Sequence, residues 1–295
     1  MELKIEGITK EFKETRAVNN ISYTMENGVY GLLGVNGAGK TTLMRMLCTL
    51  LRPTSGQITC NGKDIFDMGA DYRNLLGYLP QEFGFYPDFT VKDYLLYIAS
   101  IKGIKSAVTN KVIKELLMQV GLEKEQNKKM KKLSGGMKRR VGIAQAIMNN
   151  PRILILDEPT AGLDPNERIR FRNLISELAQ ERIILLSTHI VSDVEYIAND
   201  ILLMKNGEIL HSGTHEEIVS SVPTKTWIVE VEKAEMNAYT QKYKIANIKT
   251  VGEKVEIRIL SEGKPDINAR EEIVTLEDVF LYYFGERMSE EDAVL

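Results

Sequence analysis

Cysteine is almost missing: Cys48 and Cys60 are the only two in 295 residues. That excludes a disulfide framework, and both are expected to act as small buried hydrophobes. Long apolar runs are missing as well. Nothing approaches the roughly 18 consecutive apolar residues of a bilayer-crossing helix, so the chain itself is not expected to span a membrane. Residues 1–10 lack the basic-then-apolar order of a secretory leader, which makes the cytosol the expected compartment. Only three histidines occur, His189, His211 and His215. No His/Cys cluster has zinc-binding spacing. Basic residues are not in excess: the formal net charge of −3 speaks against a dedicated reader of duplex nucleic acid. Nor is there an internal repeat of the 20-to-50-residue kind that marks solenoids.

What is present alternates between sheet and helix signals. Up to about residue 86, strand-like runs such as Val29-Tyr30-Gly31-Leu32-Leu33 and Gln57-Ile58-Thr59-Cys60 are separated by turn signals, including Asn61-Gly62. Over 91–150 the apolar period becomes helical, with Val112, Leu116 and Val120, then Met137, Val141, Ala144 and Met148. Sheet returns in the continuous apolar runs Ile153-Leu154-Ile155-Leu156 and Ile183-Ile184-Leu185-Leu186, of the kind buried on both faces of a parallel sheet. Phe171, Leu174, Ile175 and Leu178 predict a helix between them, and strand-helix-strand order predicts an α/β core. Beyond Pro223, Trp227, Val229 and Val231, then Val255, Ile257 and Ile259, alternate as half-buried strands of a separate small lobe. Thr275-Leu276-Glu277-Asp278 opens a final helix with a capping-box pattern and Gly285 closes it. Residues 289–295 are expected to fray.

Two motifs carry chemistry. Gly34-Val35-Asn36-Gly37-Ala38-Gly39-Lys40-Thr41 follows a strand, precedes the helical run Leu43 to Leu51, and fits G-x-x-x-x-G-K-[ST]. Its glycines let successive backbone N–H groups turn inward on phosphate, and the next helix aims its positive end at the same spot. Lys40 is expected on the β- and γ-phosphates and the Thr41 hydroxyl on Mg²⁺, with Asn36, Gly37, Ala38, Gly39 and Thr42 completing the cradle. Asp157 ends an apolar strand, where such an enzyme needs a carboxylate for Mg²⁺, and adjacent Glu158 is placed to polarise the attacking water.

Leu133-Ser134-Gly135-Gly136-Met137 resembles the signature sequence of ABC ATPases, and residues 3 to about 220 resemble an ABC nucleotide-binding domain throughout. Met137 stands where relatives often have Gln. The resemblance implies that Ser134, Gly135 and Gly136 cap ATP held by a second subunit in a head-to-tail dimer. It implies further that Gln81 touches Mg²⁺ and links core to helical insert, and that His189 contacts the γ-phosphate. Ala161-Gly162-Leu163-Asp164 is similar to the loop crossing the dimer interface, and Phe12 to the aromatic that stacks on adenine. The implied cofactors are ATP and Mg²⁺; the implied catalytic set is Glu158, His189, Lys40 and Gln81, with Thr41, Gln81 and Asp157 on the metal. His211 and His215 match nothing and are expected at the surface.

The fold so implied is α/β: a P-loop NTPase core with a mostly parallel sheet, an antiparallel β-subdomain and a helical insert over about 87–150. These make up residues 1–220, and 221–295 form a small C-terminal α+β lobe for dimerisation or regulation. Phe83, Phe85, Tyr86, Phe89, Tyr94 and Tyr97 are expected to meet a transmembrane permease, about half of them exposed. Lys128, Lys129, Lys131 and Lys132 are expected to be a solvated loop. Thr275 to Phe280 and Met137-Lys138-Arg139-Arg140 resemble the branch of ATPases serving drug, bacteriocin and antibiotic-immunity exporters. The expected activity is ATP hydrolysis driving such an exporter from the cytoplasmic face, with no nucleic acid. The competing class, ABC ATPases of translation or DNA repair, usually shows a doubled domain or a long coiled coil, and this chain has neither.

Overall fold

A computed structural model describes residues 1–285; the tail expected to fray lies outside the described residues. The chain divides into two compact units after Leu210, inside the strand Glu208–Gly213 and upstream of the expected boundary near residue 220.

The first unit is built on a six-stranded sheet in the order Glu208–Gly213, Asp200–Lys205, Gly28–Leu33, Ile183–Thr188, Ile153–Leu156, Leu76–Leu79. The last five run parallel. Every residue of Gly28–Leu33, Ile153–Leu156 and Ile183–Thr188 is buried, as runs without polar alternation require. Register then does the gathering: Leu79 lies opposite Leu156, Leu156 opposite Leu186, and Leu33 opposite Thr188. Four strands therefore release their carboxyl ends along one rim, where open α/β sheets hold ligands.

A second, antiparallel sheet of four strands, ordered Thr15–Met25, Leu3–Phe12, Ser55–Cys60, Lys63–Asp64, covers part of this core. Asn61 and Gly62, at φ 47° and 76°, make the left-handed pair that a two-residue hairpin turn needs. Leu3, Ile5, Ile58 and Cys60 share one apolar cluster with Met44, Leu47, Ile155 and Leu185, and both cysteines are buried and unbridged. The helix after the phosphate loop, Lys40–Leu47, stops short of Leu51 because Thr49 turns left-handed at φ 57°. Short helices Ile65–Met68 and Ala70–Leu75 occupy a stretch that reads as sheet in the sequence. Asp64 starts the first by accepting from the Phe66 and Asp67 N–H groups. The insert consists chiefly of the helices Val91–Ile101, Ser106–Gln119 and Gly135–Ile147.

The second unit carries a four-stranded antiparallel sheet, ordered Lys244–Val251, Lys254–Ser261, Lys225–Glu232, Arg270–Glu272. Trp227, Val229 and Val231 sit directly across from Ile259, Ile257 and Val255, and together they form the apolar centre of the unit. The helix Leu276–Phe284 begins with the expected capping box of Thr275 and Asp278. Asp278 does more than cap. It is 2% exposed and takes a two-pronged ion pair from Arg258, with Nη2 to Oδ2 at 2.7 Å and Nε to Oδ1 at 3.1 Å. Thr226 donates to it as well. His211 is not a bare surface residue as expected: its Nε2 lies 2.8 Å from the Tyr283 hydroxyl.

Burial alone would raise the Asp278 pKa, but the Arg258 hydrogen bonds and the capped Thr275 N–H outweigh it and hold the carboxyl below its ordinary value. A depressed carboxylate pKa contributes stability above the unfolded value near 4, and this is lost as pH falls through the folded value. Asp278→Asn strands a guanidinium and is expected to cost the second unit roughly 3 kcal/mol at neutral pH. It should also flatten the unit's loss of stability under acid. Urea titrations followed by fluorescence of Trp227, the single tryptophan, check both.

Candidate active site

The strand Gly28–Leu33 delivers the phosphate loop to the rim. Residues 35–42 line a cavity of about 310 Å³ together with Ala17, Gln81 and Glu158. Asn36, Gly37, Ala38, Gly39, Lys40, Thr41 and Thr42 are thus all brought together. Gly39 sits at φ 106°, and a Cβ there would lie 2.3 Å from the Ala17 carbonyl oxygen. No side chain is tolerated without moving the loop. Gly39→Ala is therefore expected to abolish the rise in melting temperature that excess ATP gives the wild type, an effect worth about 2.7 kcal/mol at a hundredfold excess over Kd.

Lys40 is 6% exposed and donates to the loop's own carbonyls, Gly34 O at 2.6 Å and Val35 O at 3.2 Å. Its ammonium also lies 3.4 Å from Glu158 Oε1. Burial lowers its pKa and the Glu158 charge opposes that.

Glu158 is held on several sides. Its N–H donates to Ser187 Oγ at 2.9 Å, and the Ser187 hydroxyl donates to Asp157 Oδ1 at 2.7 Å. Its Oε2 lies 2.9 Å from His189 Nδ1. The residue is left-handed, φ 47°, a sparsely populated state for a non-glycine residue that recurs at active sites. Asp157 and Glu158 are 1% and 5% exposed, and Asp157 Oδ2 has no hydrogen-bond partner among the described residues. Asp157 does not itself line the cavity; Thr41, Gln81 and the adjacent Glu158 do, and together with the buried, unpartnered Asp157 oxygen they offer oxygen donors of the type Mg²⁺ takes.

Other expected site residues lie elsewhere. Ser134 caps the helix Gly135–Ile147, accepting from the Met137 N–H at 3.2 Å, and none of Ser134, Gly135 and Gly136 lines the cavity. Phe12 ends its strand 46% exposed, with Lys10 Nζ 5.2 Å from its ring centre, and also stands off the cavity. Among the six aromatics of 83–97, Tyr86, Phe89 and Tyr97 are exposed, Phe83 and Phe85 half-buried and Tyr94 buried. The exposed three stack on one another, with ring centres 4.8 to 6.2 Å apart. Lys129 and Lys131 pair with Asp88, and Lys128 with Glu125.

Three residues of the site went unread in the sequence. Ser187 ties Asp157 to the Glu158 backbone, a role visible only once the two strands pair. Asp193, fully buried, accepts from Thr160 and Thr188 and so joins the turn after Glu158 to the turn bearing His189. An acid between Val191 and Val194 was the available signal. Arg139, inside the signature helix, is the third.

A parallel sheet, a glycine-rich loop closing on a helix and two carboxylates at the next-but-one strand define an ATPase domain of the phosphate-loop type. The chain belongs to the ABC transporter family, whose profile matches residues 18–161. It is 38% identical over 232 residues to the ABC transporter ATP-binding protein YxlF of Bacillus subtilis, covering 78% of this chain and 77% of that one. With the Nod factor export ATP-binding protein I of Burkholderia lata it shares 32% over 296 residues, 96% and 97% of the two chains. With the bacitracin transport ATP-binding protein BcrA of Bacillus licheniformis it shares 40% over 211 residues, 70% and 68%. A solved dimeric bacterial ABC transporter cassette superposes with TM-score 0.66 at 25% identity, over 72% of this chain and 98% of that one. The protein is the ATP-binding, ATP-hydrolysing subunit of an ABC transporter.

Proposed function

We propose that two copies of the chain pair head to tail, hydrolyse ATP at sites shared between them, and so drive a membrane exporter. The observation that carries the pairing is a separation. Lys40 and its loop form one anion-binding end, while Ser134 and the helix behind it form another that does not face the same cavity. A second copy supplying Ser134, Gly135 and Gly136 completes each site, and a dimeric solved relative supports this.

Within that arrangement the loop N–H groups and Lys40 hold the β- and γ-phosphates, and Phe12 stacks on adenine. Asp157, Thr41 and Gln81 would hold Mg²⁺, which supplies positive charge to the phosphate oxygens. Glu158 accepts a proton from the attacking water as its oxygen bonds to the γ-phosphorus and the β–γ bridging bond breaks, leaving ADP and phosphate. His189 steadies the Glu158 carboxylate, and with Lys40 and the facing Ser134 it offsets charge on the transferring group.

Similarity to proteins named for Nod factor export and bacitracin transport supports an exporter. No described helix is long and apolar enough to cross a membrane, so the chain would reach the cytoplasmic face through a permease. The exposed ring cluster of Tyr86, Phe89 and Tyr97, which follows Gln81 in the chain, is suited to receive that partner, because aromatics are favoured interface anchors. Co-expression with the hydrophobic subunit is expected to bring the chain to membranes and to give ATP-dependent accumulation of substrate inside inverted vesicles. Association with ribosomes or DNA instead would overturn the assignment.

A further inference from the structure

Arg139 lies in the signature helix and is 8% exposed. A guanidinium has five N–H donors in a fixed plane, and here each finds a backbone carbonyl. Nε donates to Pro159 O at 2.9 Å, and Nη1 to Gln81 O at 2.7 Å and Pro80 O at 3.2 Å. Nη2 donates to Asp157 O at 2.6 Å and to Glu158 O. The acceptors belong to two separate segments of the core, the turn bearing Gln81 and the turn bearing Asp157 and Glu158. One of them is the carbonyl of the left-handed Glu158 itself.

We propose that Arg139 is a positioning residue for hydrolysis, a strut that locks the Gln81 turn and the Glu158 peptide to the signature helix. The helix whose first turn meets the partner chain's ATP then also sets the aim of this chain's own base. A rotation of the insert that moves Gly135–Ile147 carries five carbonyls with it and shifts Glu158 against Lys40 and His189. Lysine offers three donors from one point and glutamine two, so neither spans both turns.

The proposal rests on the role given to Glu158 above, and the test separates the two. Single-turnover hydrolysis is measured on the full chain for wild type, R139K, R139Q, E158Q and R139K/E158Q, with ATP affinity from a fluorescent analogue and melting temperature alongside. R139K is expected to slow hydrolysis about 100-fold, the size of effect a misplacement near 1 Å has on a reacting group. ATP affinity should stay within about threefold. Added to E158Q, R139K should cost less than about threefold more, since a residue acting through Glu158 has nothing further to remove. An equal loss in both backgrounds, a matching fall in ATP affinity, or unfolding of both R139K and R139Q would overturn the proposal. A wild-type rate unchanged by E158Q alone would overturn the reading of Glu158 on which it rests.

Discussion

Glu158→Gln is expected to slow phosphate release by about 10² to 10⁴-fold, the usual worth of a positioned general base, and to trap an ATP-dependent pair of chains. The substitution is nearly isosteric, so the cavity wall and the hydrogen bond of the residue 158 N–H to Ser187 should persist. What goes is the capacity to accept a proton, and with it the ion-pair contact to Lys40 at 3.4 Å. Binding and dimer closure do not need that proton, so the closed state accumulates in place of turning over. Size-exclusion chromatography with and without ATP reads the trapped pair, and a phosphate-release assay reads the rate. Wild-type turnover in this variant would remove Glu158 from the chemistry.

Lys40→Met is expected to remove both ATP binding and hydrolysis, with turnover down by at least about 10³-fold. Methionine keeps the apolar stem and gives up the charge. Two consequences follow from the contacts of Lys40. The phosphates lose their buried cation where little water screens them, and a donor lost there typically costs 10² to 10³-fold in rate. Gly34 O and Val35 O also lose the donor that helps hold the loop's shape. The melting temperature of this variant should no longer respond to ATP. An undiminished ATP response would mean that nucleotide is held elsewhere.

Most of the site's parts were legible in the sequence because each is local. A phosphate loop is one strand, one turn and one helix, and Asp157-Glu158 closes a run that only a buried strand explains. The helix at Phe171, Leu174, Ile175 and Leu178 buries those four residues, since its period is a direct imprint of one covered face. The links between parts were not legible. Nothing in Ser187 or Asp193 announces a partner some thirty residues away, because the partner is fixed by parallel pairing of Ile153–Leu156 with Ile183–Thr188. Arg139 enters the sequence only as part of Met137-Lys138-Arg139-Arg140, and its five carbonyl partners become visible only when the two turns fold over it. In the second unit, Asp278 was visible as a helix cap and invisible as a buried ion-pair partner, because Arg258 comes from a strand two elements earlier. The short helices at Ile65–Met68 and Ala70–Leu75 escaped because four to six residues are too few to show a period.

The shared site is tested most directly by mixing two inactive variants, Lys40→Met and Gly135→Asp. Aspartate at position 135 places a negative charge at the start of the signature helix, where a Cβ has room, meeting nothing closer than 4.0 Å. Alone, each variant spoils both sites of its dimer. Mixed in equal amounts, half of the pairs are hetero-pairs in which one site combines an intact Lys40 with an intact Gly135 from the other chain. Symmetry of the head-to-tail pair then gives the mixture about a quarter of wild-type ATP hydrolysis. A mixture no more active than its two components would contradict a site built from two chains.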